Sequence, residues 1–128
     1  MDSVVHFEIP FEKKKRAADF YKKTFGWETN DVPGMDYTIA YTTQTDMKTR
    51  MIKKPGAING GMMKRNDKIK SPIITIVVKN IDEAIKKTKE NGGSIYIDKM
   101  EIGKGIGFSA YIKDTEGNVI GLWQPVKK

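Results

Sequence analysis

The chain opens on a two-residue period and then changes it. Across residues 3–9, Val5, Phe7 and Ile9 fall on one side and Val4, His6 and Glu8 on the other, the pattern of a half-buried strand. Pro10 has no N–H to give a ladder and is expected to end that strand. From 13 to 25 the period becomes helical. Ala17, Phe20, Tyr21 and Thr24 form one stripe, Lys14, Lys15, Lys22 and Lys23 lie outside it, and Gly26 supplies the stop. Strands are expected at 27–30, at 37–42 after the Pro33-Gly34 turn, more weakly at 47–53, and at 57–64, where Gly60-Gly61 marks a bulge or a close backbone approach.

Residues 65–71 are polar and form a joint, after which the plan restarts. Residues 72–78 are β-branched almost throughout and read as a buried strand. Asn80 and Glu83 have the spacing of a capping box, and Ile81, Ala84, Ile85 and Thr88 form the inner face of a helix over 81–91. Asn91-Gly92-Gly93 stops it, and strands follow at 94–98, 108–113 and 118–124, with a hairpin turn at Asp114-Thr115-Glu116-Gly117. Strand-helix-strand-strand-strand therefore occurs twice, in modules 1–65 and 72–128 of one domain. The fold class is α+β. Each module alone leaves a sheet face bare, so the two βαβββ modules are expected to form a curved mixed sheet with helices on the outer face and a cleft inside.

Composition narrows the function classes. A chain of 128 residues with 38% hydrophobic content is one compact unit. The lack of cysteine excludes a disulfide scaffold, a thiolate metal site and a cysteine nucleophile. Met1-Asp2-Ser3-Val4 has no basic segment leading into an apolar core, and no apolar run reaches spanning length, so a cytoplasmic location without a membrane is expected. The net charge of +7 admits an anionic partner, but the basic residues (Lys13 to Arg16, Lys53-Lys54, Lys64-Arg65, Lys86-Lys87, Lys127-Lys128) are scattered over polar faces and turns. A nucleic-acid track is therefore not the leading expectation.

Candidate chemistry centres on His6, the chain's one histidine, whose free pKa lies near neutrality, and on Glu8, two residues on and therefore on the same face. Of the aromatics Trp27, Tyr37, Tyr41, Tyr111 and Trp123, the last shares a strand face with Val119 and Gly121 and is expected to line a ligand. Gly103-Lys104-Gly105-Ile106-Gly107 fails the phosphate-loop spacing and reads as a mobile loop, a candidate lid. A lone histidine defines no Ser-His-Asp triad.

His6-Phe7-Glu8-Ile9-Pro10, Arg16-Ala17, Phe20-Tyr21 and Phe25-Gly26-Trp27 resemble the first module of the vicinal oxygen chelate superfamily, which includes glyoxalase I, bleomycin-resistance proteins and extradiol dioxygenases. Ile58-Asn59-Gly60-Gly61, Asp82-Glu83-Ala84, Gly92-Gly93 and the run from Asp114 to Gln124 resemble one branch of it, so the likeness covers nearly the whole chain. The resemblance implies a paired βαβββ fold, a homodimer and a cleft in each curved sheet. Its metal enzymes hold a divalent ion with His and Glu from four strands, leaving positions open for substrate oxygens. His6 matches the first such position, while the others fall on Gly60 or Gly61, on Ile73 and on Gly121, and Thr115 replaces a usual proline.

The leading expectation is a glyoxalase/bleomycin-resistance-like protein that binds a small organic molecule in a metal-free cleft through His6, Glu8 and Trp123, with no cofactor and no assigned catalytic residue. Two alternatives stand beside it: an enzyme related to lactoylglutathione lyase or the dioxygenases and centred on His6 and Glu8, and a basic partner- or nucleic-acid-binding module.

Overall fold

The computed structural model describes residues 1–49 and 51–126, with the backbone alone at Lys104. The Lys104 side chain, assigned above to a lid, and the Lys127-Lys128 pair lie outside the described residues, as does Arg50. The elements are β1 (Val4–Phe11), α1 (Lys14–Phe25), β2 (Glu28–Asp31), β3 (Thr38–Tyr41), β4 (Gly60–Lys64), β5 (Ile73–Val77), α2 (Ile81–Glu90), β6 (Ser94–Ile102), the helical turn α3 (Gly103–Ile106), β7 (Gly107–Lys113) and β8 (Val119–Pro125). The chain divides into two compact units, one of residues 6–72 and one of residues 1–5 with everything from Ile73 on. The Ser3 carbonyl accepts the Val77 N–H at 3.0 Å, which ties the first residues to β5.

In the first unit the strand order is β2-β3-β4-β1, with β1 parallel to β4 and the other neighbours antiparallel. Alternation along β1 sends Phe7, Ile9 and Phe11 to the side where Ala40 and Met62 are buried, and Ala17, Tyr21 and Trp27 pack onto that cluster. Gly26, at φ 77, ends α1 with its N–H on the Lys22 carbonyl. The helix is loosely held, because no residue of it is fully buried and its N-cap makes no side-chain bond. Phe20, expected on the inner stripe, is 54% exposed, and Thr24 is exposed too.

In the second unit the order is β5-β8-β7-β6, again with a parallel pair (β5 and β8) and antiparallel neighbours. Val78, Ile81, Ala110 and Leu122 form its core, flanked by Ile76, Ala84, Ile85 and Ile95. Here the helix is pinned at its start. Asn80 Oδ1 accepts the Glu83 N–H at 3.1 Å, and Gln124 Oε1 on β8 accepts the Ile81 N–H at 2.9 Å.

Several boundaries differ from expectation. β1 continues through Pro10 to Phe11, whose carbonyl accepts the Arg65 N–H at 2.8 Å, so the missing proline donor does not end the strand. Among the described residues, 47–53 forms no strand, only a single bridge between Thr45 and Ile52. Residues 103–106, expected as a loop, form the helical turn α3.

Candidate functional site

The first unit carries the histidine. β1 sets His6 and Glu8 on the sheet face opposite α1, and the parallel register puts Glu8 beside Gly61, with Ile39 of β3 on the other side of that glycine. His6 Nε2 lies 2.7 Å from the Tyr37 hydroxyl, and the two rings stack at 18° with centroids 6.3 Å apart. Burial strips water from the imidazole and lowers its pKa from 6.5 to about 4, so His6 is neutral at pH 7. One ring nitrogen of a neutral imidazole donates and the other accepts, so the pair is satisfied either by the phenol donating to Nε2 or by Nε2–H donating to the phenol oxygen. Glu8 is 6% exposed.

Tyr37 also explains Gly61. A Cβ built there would coincide with the Tyr37 hydroxyl and ring edge. The glycine is required by space, since its φ is not one that L residues avoid. Gly60 is similarly pressed by the ring and carbonyl of Phe7. The room vacated by the glycine pair is thus filled by neighbouring side chains.

The second unit repeats the arrangement with different chemistry. Gly121 on β8 lies between Thr75 of β5 and Tyr111 of β7, and a Cβ at Gly121 would stand 2.8 Å from Thr75 Oγ1. Ile73, which the resemblance sets at a ligand position, is buried at 4% exposure. Trp123 lies across from Ser109 and Val77, and its indole N–H donates to the Ile106 carbonyl at 3.0 Å. The structure therefore describes His6 and Glu8 with the first unit and Trp123 with the second.

The residues present do not fit the divalent ion of the superfamily's metal enzymes. His6 is engaged by Tyr37, Tyr37 fills the space over Gly61, Thr75 fills it over Gly121, and Ile73 has no donor atom. Among the described residues no group of three or more His, Asp or Glu could hold a metal. The residue missed by sequence reasoning is Tyr37. The available signal was the Gly60-Gly61 pair at a position to which the resemblance assigns a ligand side chain, because lost volume in a packed sheet must be filled by something.

These features define the class: the βαβββ order of each unit is that of the glyoxalase/bleomycin-resistance fold. Residues 3–42 match the family model of bleomycin resistance protein-like N-terminal domains. Among solved structures, the chain is similar to a hypothetical protein from Bacillus halodurans, with 16% identity, a TM-score of 0.65 and coverage of 99% of this chain and 96% of that one. It is also similar to methylmalonyl-CoA epimerase from Mycobacterium tuberculosis (16% identity, TM-score 0.60, 97% and 88% coverage). The same enzyme from Streptomyces coelicolor, in complex with 2-nitronate-propionyl-CoA, gives 15% identity, a TM-score of 0.65 and 97% coverage of both chains. No curated protein matches the sequence significantly. No described helix is long and apolar enough to cross a membrane.

Proposed function

We propose that this chain binds a small organic molecule without a metal on the first-unit face that carries His6, Glu8 and Tyr37; Trp123 is proposed, within the second unit by itself, as a ligand-lining aromatic. The observation that supports this most is the His6–Tyr37 hydrogen bond over Gly61. A position that could have carried a metal ligand carries none, and the remaining histidine is tied to an organic hydroxyl. What is left is a set of polar groups suited to hydrogen bonding a ligand.

An enzyme that moves a proton with His6 and Glu8 is the second reading, and the presence of epimerases among the structural neighbours speaks for it. The state of His6 speaks against it. A base with a pKa of about 4 is fully available at pH 7 but has little driving force to abstract a proton. A basic nucleic-acid module is weaker still, because Lys14, Lys15, Arg16, Lys22, Arg65, Lys86 and Lys99 each lie beside a carboxylate on the surface. The proposal includes a cytoplasmic homodimer, which sedimentation of the purified chain tests for oligomeric state.

A thermal-shift screen of small metabolites and aromatic compounds, with a coenzyme A thioester as one arm, tests the binding role. A rise in melting temperature that His6→Ala removes supports it. Calorimetric titration with nickel, zinc, manganese and iron runs beside it, and tight stoichiometric metal binding that His6→Ala abolishes overturns the metal-free reading.

A further inference from the structure

The chain is rich in charge, with 30% of its residues Asp, Glu, Lys or Arg, and three neighbouring strands of the second unit depart from that. β5, β8 and β7 read IITIV, VIGLWQP and GFSAYIK, and Lys113 is their one charged residue. Alternation sends Ile76, Leu122, Ala110 and Ile112 to the core that α2 covers. The opposite face carries Thr75, Gly121 and Tyr111 in one cross-strand row and Val77, Trp123 and Ser109 in the next. The Lys113 ammonium is engaged outside both rows, over the Tyr96 ring of β6 at 4.8 Å from its centroid.

Thr75 is the anomaly of this face. The residue is 6% exposed, yet its hydroxyl has no hydrogen-bond partner among the described residues. No described side-chain oxygen that is sealed from solvent lacks a partner, so the Thr75 oxygen keeps an opening. A Cβ at Gly121 would stand 2.8 Å from Thr75 Oγ1, so the hydroxyl leans over the glycine on the side away from α2. A hydroxyl so placed has lost most of its water and gains a full hydrogen bond only from something that enters.

The surroundings select what can enter. An ion meeting the Thr75 oxygen would give up hydration with no opposite charge in the row to replace it, a far larger cost than burying an uncharged carbonyl that accepts from the hydroxyl. Trp123 lies beside Val77, one step along the same face, at the diagonal spacing of roughly 7–8 Å from Thr75. One aromatic ring bearing a carbonyl spans that gap. The indole N–H is held by the Ile106 carbonyl at 3.0 Å, which fixes the ring and leaves its face to the ligand.

We infer that this face of the second unit binds a small uncharged aromatic carbonyl compound, such as an aryl amide or ketone, with the carbonyl accepting from Thr75 and the ring against Trp123. The inference rests on the proposed ligand-lining role of Trp123 and names its ligand class.

The two tryptophans make the test local. Indole N–H resonances of the 15N-labelled full chain are followed by NMR during titration with benzamide, benzoate and benzylammonium, the Trp123 signal being the one lost in Trp123→Phe. The expected result is saturable movement of that signal with benzamide, which binds at least about tenfold more tightly than either ion. Thr75→Val keeps the shape and removes the hydroxyl. It should weaken benzamide binding about fivefold while leaving the melting temperature of the free protein unchanged or raised, and Thr75→Ser should bind as the wild type does. Benzoate or benzylammonium binding as tightly as benzamide overturns the inference and leaves the lining role of Trp123 standing, as does undiminished benzamide binding by Thr75→Val. A lowered melting temperature in Thr75→Val, up to failure to fold, overturns it too, because the hydroxyl would then already have a partner. Failure of all three probes to move the Trp123 signal also overturns it. The lining role is judged separately, by whether compounds found in the thermal-shift screen lose their effect in Trp123→Phe.

Discussion

The Tyr37 hydroxyl sits 2.7 Å from His6 Nε2 and occupies the space that a side chain at residue 61 would need. One phenol thus does two things: it satisfies a buried imidazole and fills the volume left by a glycine. An unpaired ring nitrogen away from water costs roughly 1–3 kcal/mol, and an unfilled gap loses dispersion contacts on every side. Both penalties are removed by a residue 31 positions further along the chain.

The first prediction concerns pH. The folded pKa of His6, about 4, lies below the unfolded value of 6.5, so between those limits the unfolded chain binds more protons. Stability from this group is complete above pH 6.5 and falls as pH drops from 6.5 to about 4, by about 3 kcal/mol across the window. Urea denaturation from pH 7.5 to 4 checks it, with His6→Gln as control. The variant should show a flatter profile in that window, and an NMR titration of the lone imidazole should have its midpoint near 4. A midpoint near 6.5 would mean that the ring is not desolvated.

The second prediction concerns the start of α2. Asn80→Ala removes the acceptor of the Glu83 N–H and should cost about 1 kcal/mol in denaturant midpoint analysis. Asn80→Asp keeps an acceptor and adds a favourable charge at the helix N-terminus, so it should cost nothing. Ile81, fully buried and one residue further on, should cost about 2–5 kcal/mol as Ile81→Ala. The corresponding cap substitution on α1, Lys13→Ala, should be nearly silent, because Lys13 makes no side-chain capping bond.

What could be read in the sequence divides along physical lines. Period and punctuation are local, so α1 with its Gly26 stop, the Asn80 cap and the repeated βαβββ order all followed from them. Contacts between distant residues leave no such trace. The stripe containing Phe20 had helical spacing, but which side of α1 faces the sheet depends on packing, and Phe20 points outward. β6 extends to Ile102 although bulges shift its register between Ile95 and Met100 and break the alternation that would have revealed its length. Within the candidate site, His6 and Glu8 on one face followed from the two-residue period. Tyr37 did not, because its role exists only once β1, β3 and β4 have been brought together.

The third prediction tests that assembly directly. Gly61→Ala forces a methyl group into the Tyr37 ring and hydroxyl and should destabilise by about 1–3 kcal/mol. Tyr37→Phe keeps the ring and removes only the hydroxyl. It should cost about 1–2 kcal/mol through the unsatisfied imidazole and should not rescue Gly61→Ala, since the ring edge still blocks the site. Tyr37→Ala empties the space, so Gly61→Ala placed on that background should cost less than on the wild type by at least about 1 kcal/mol, the size of coupling expected between residues in contact. Denaturation of the four members of the Gly61→Ala and Tyr37→Ala cycle measures the term. Additivity within about 0.5 kcal/mol would show that Tyr37 does not fill the place of the missing side chain, and the metal-free reading of the face would lose its main support.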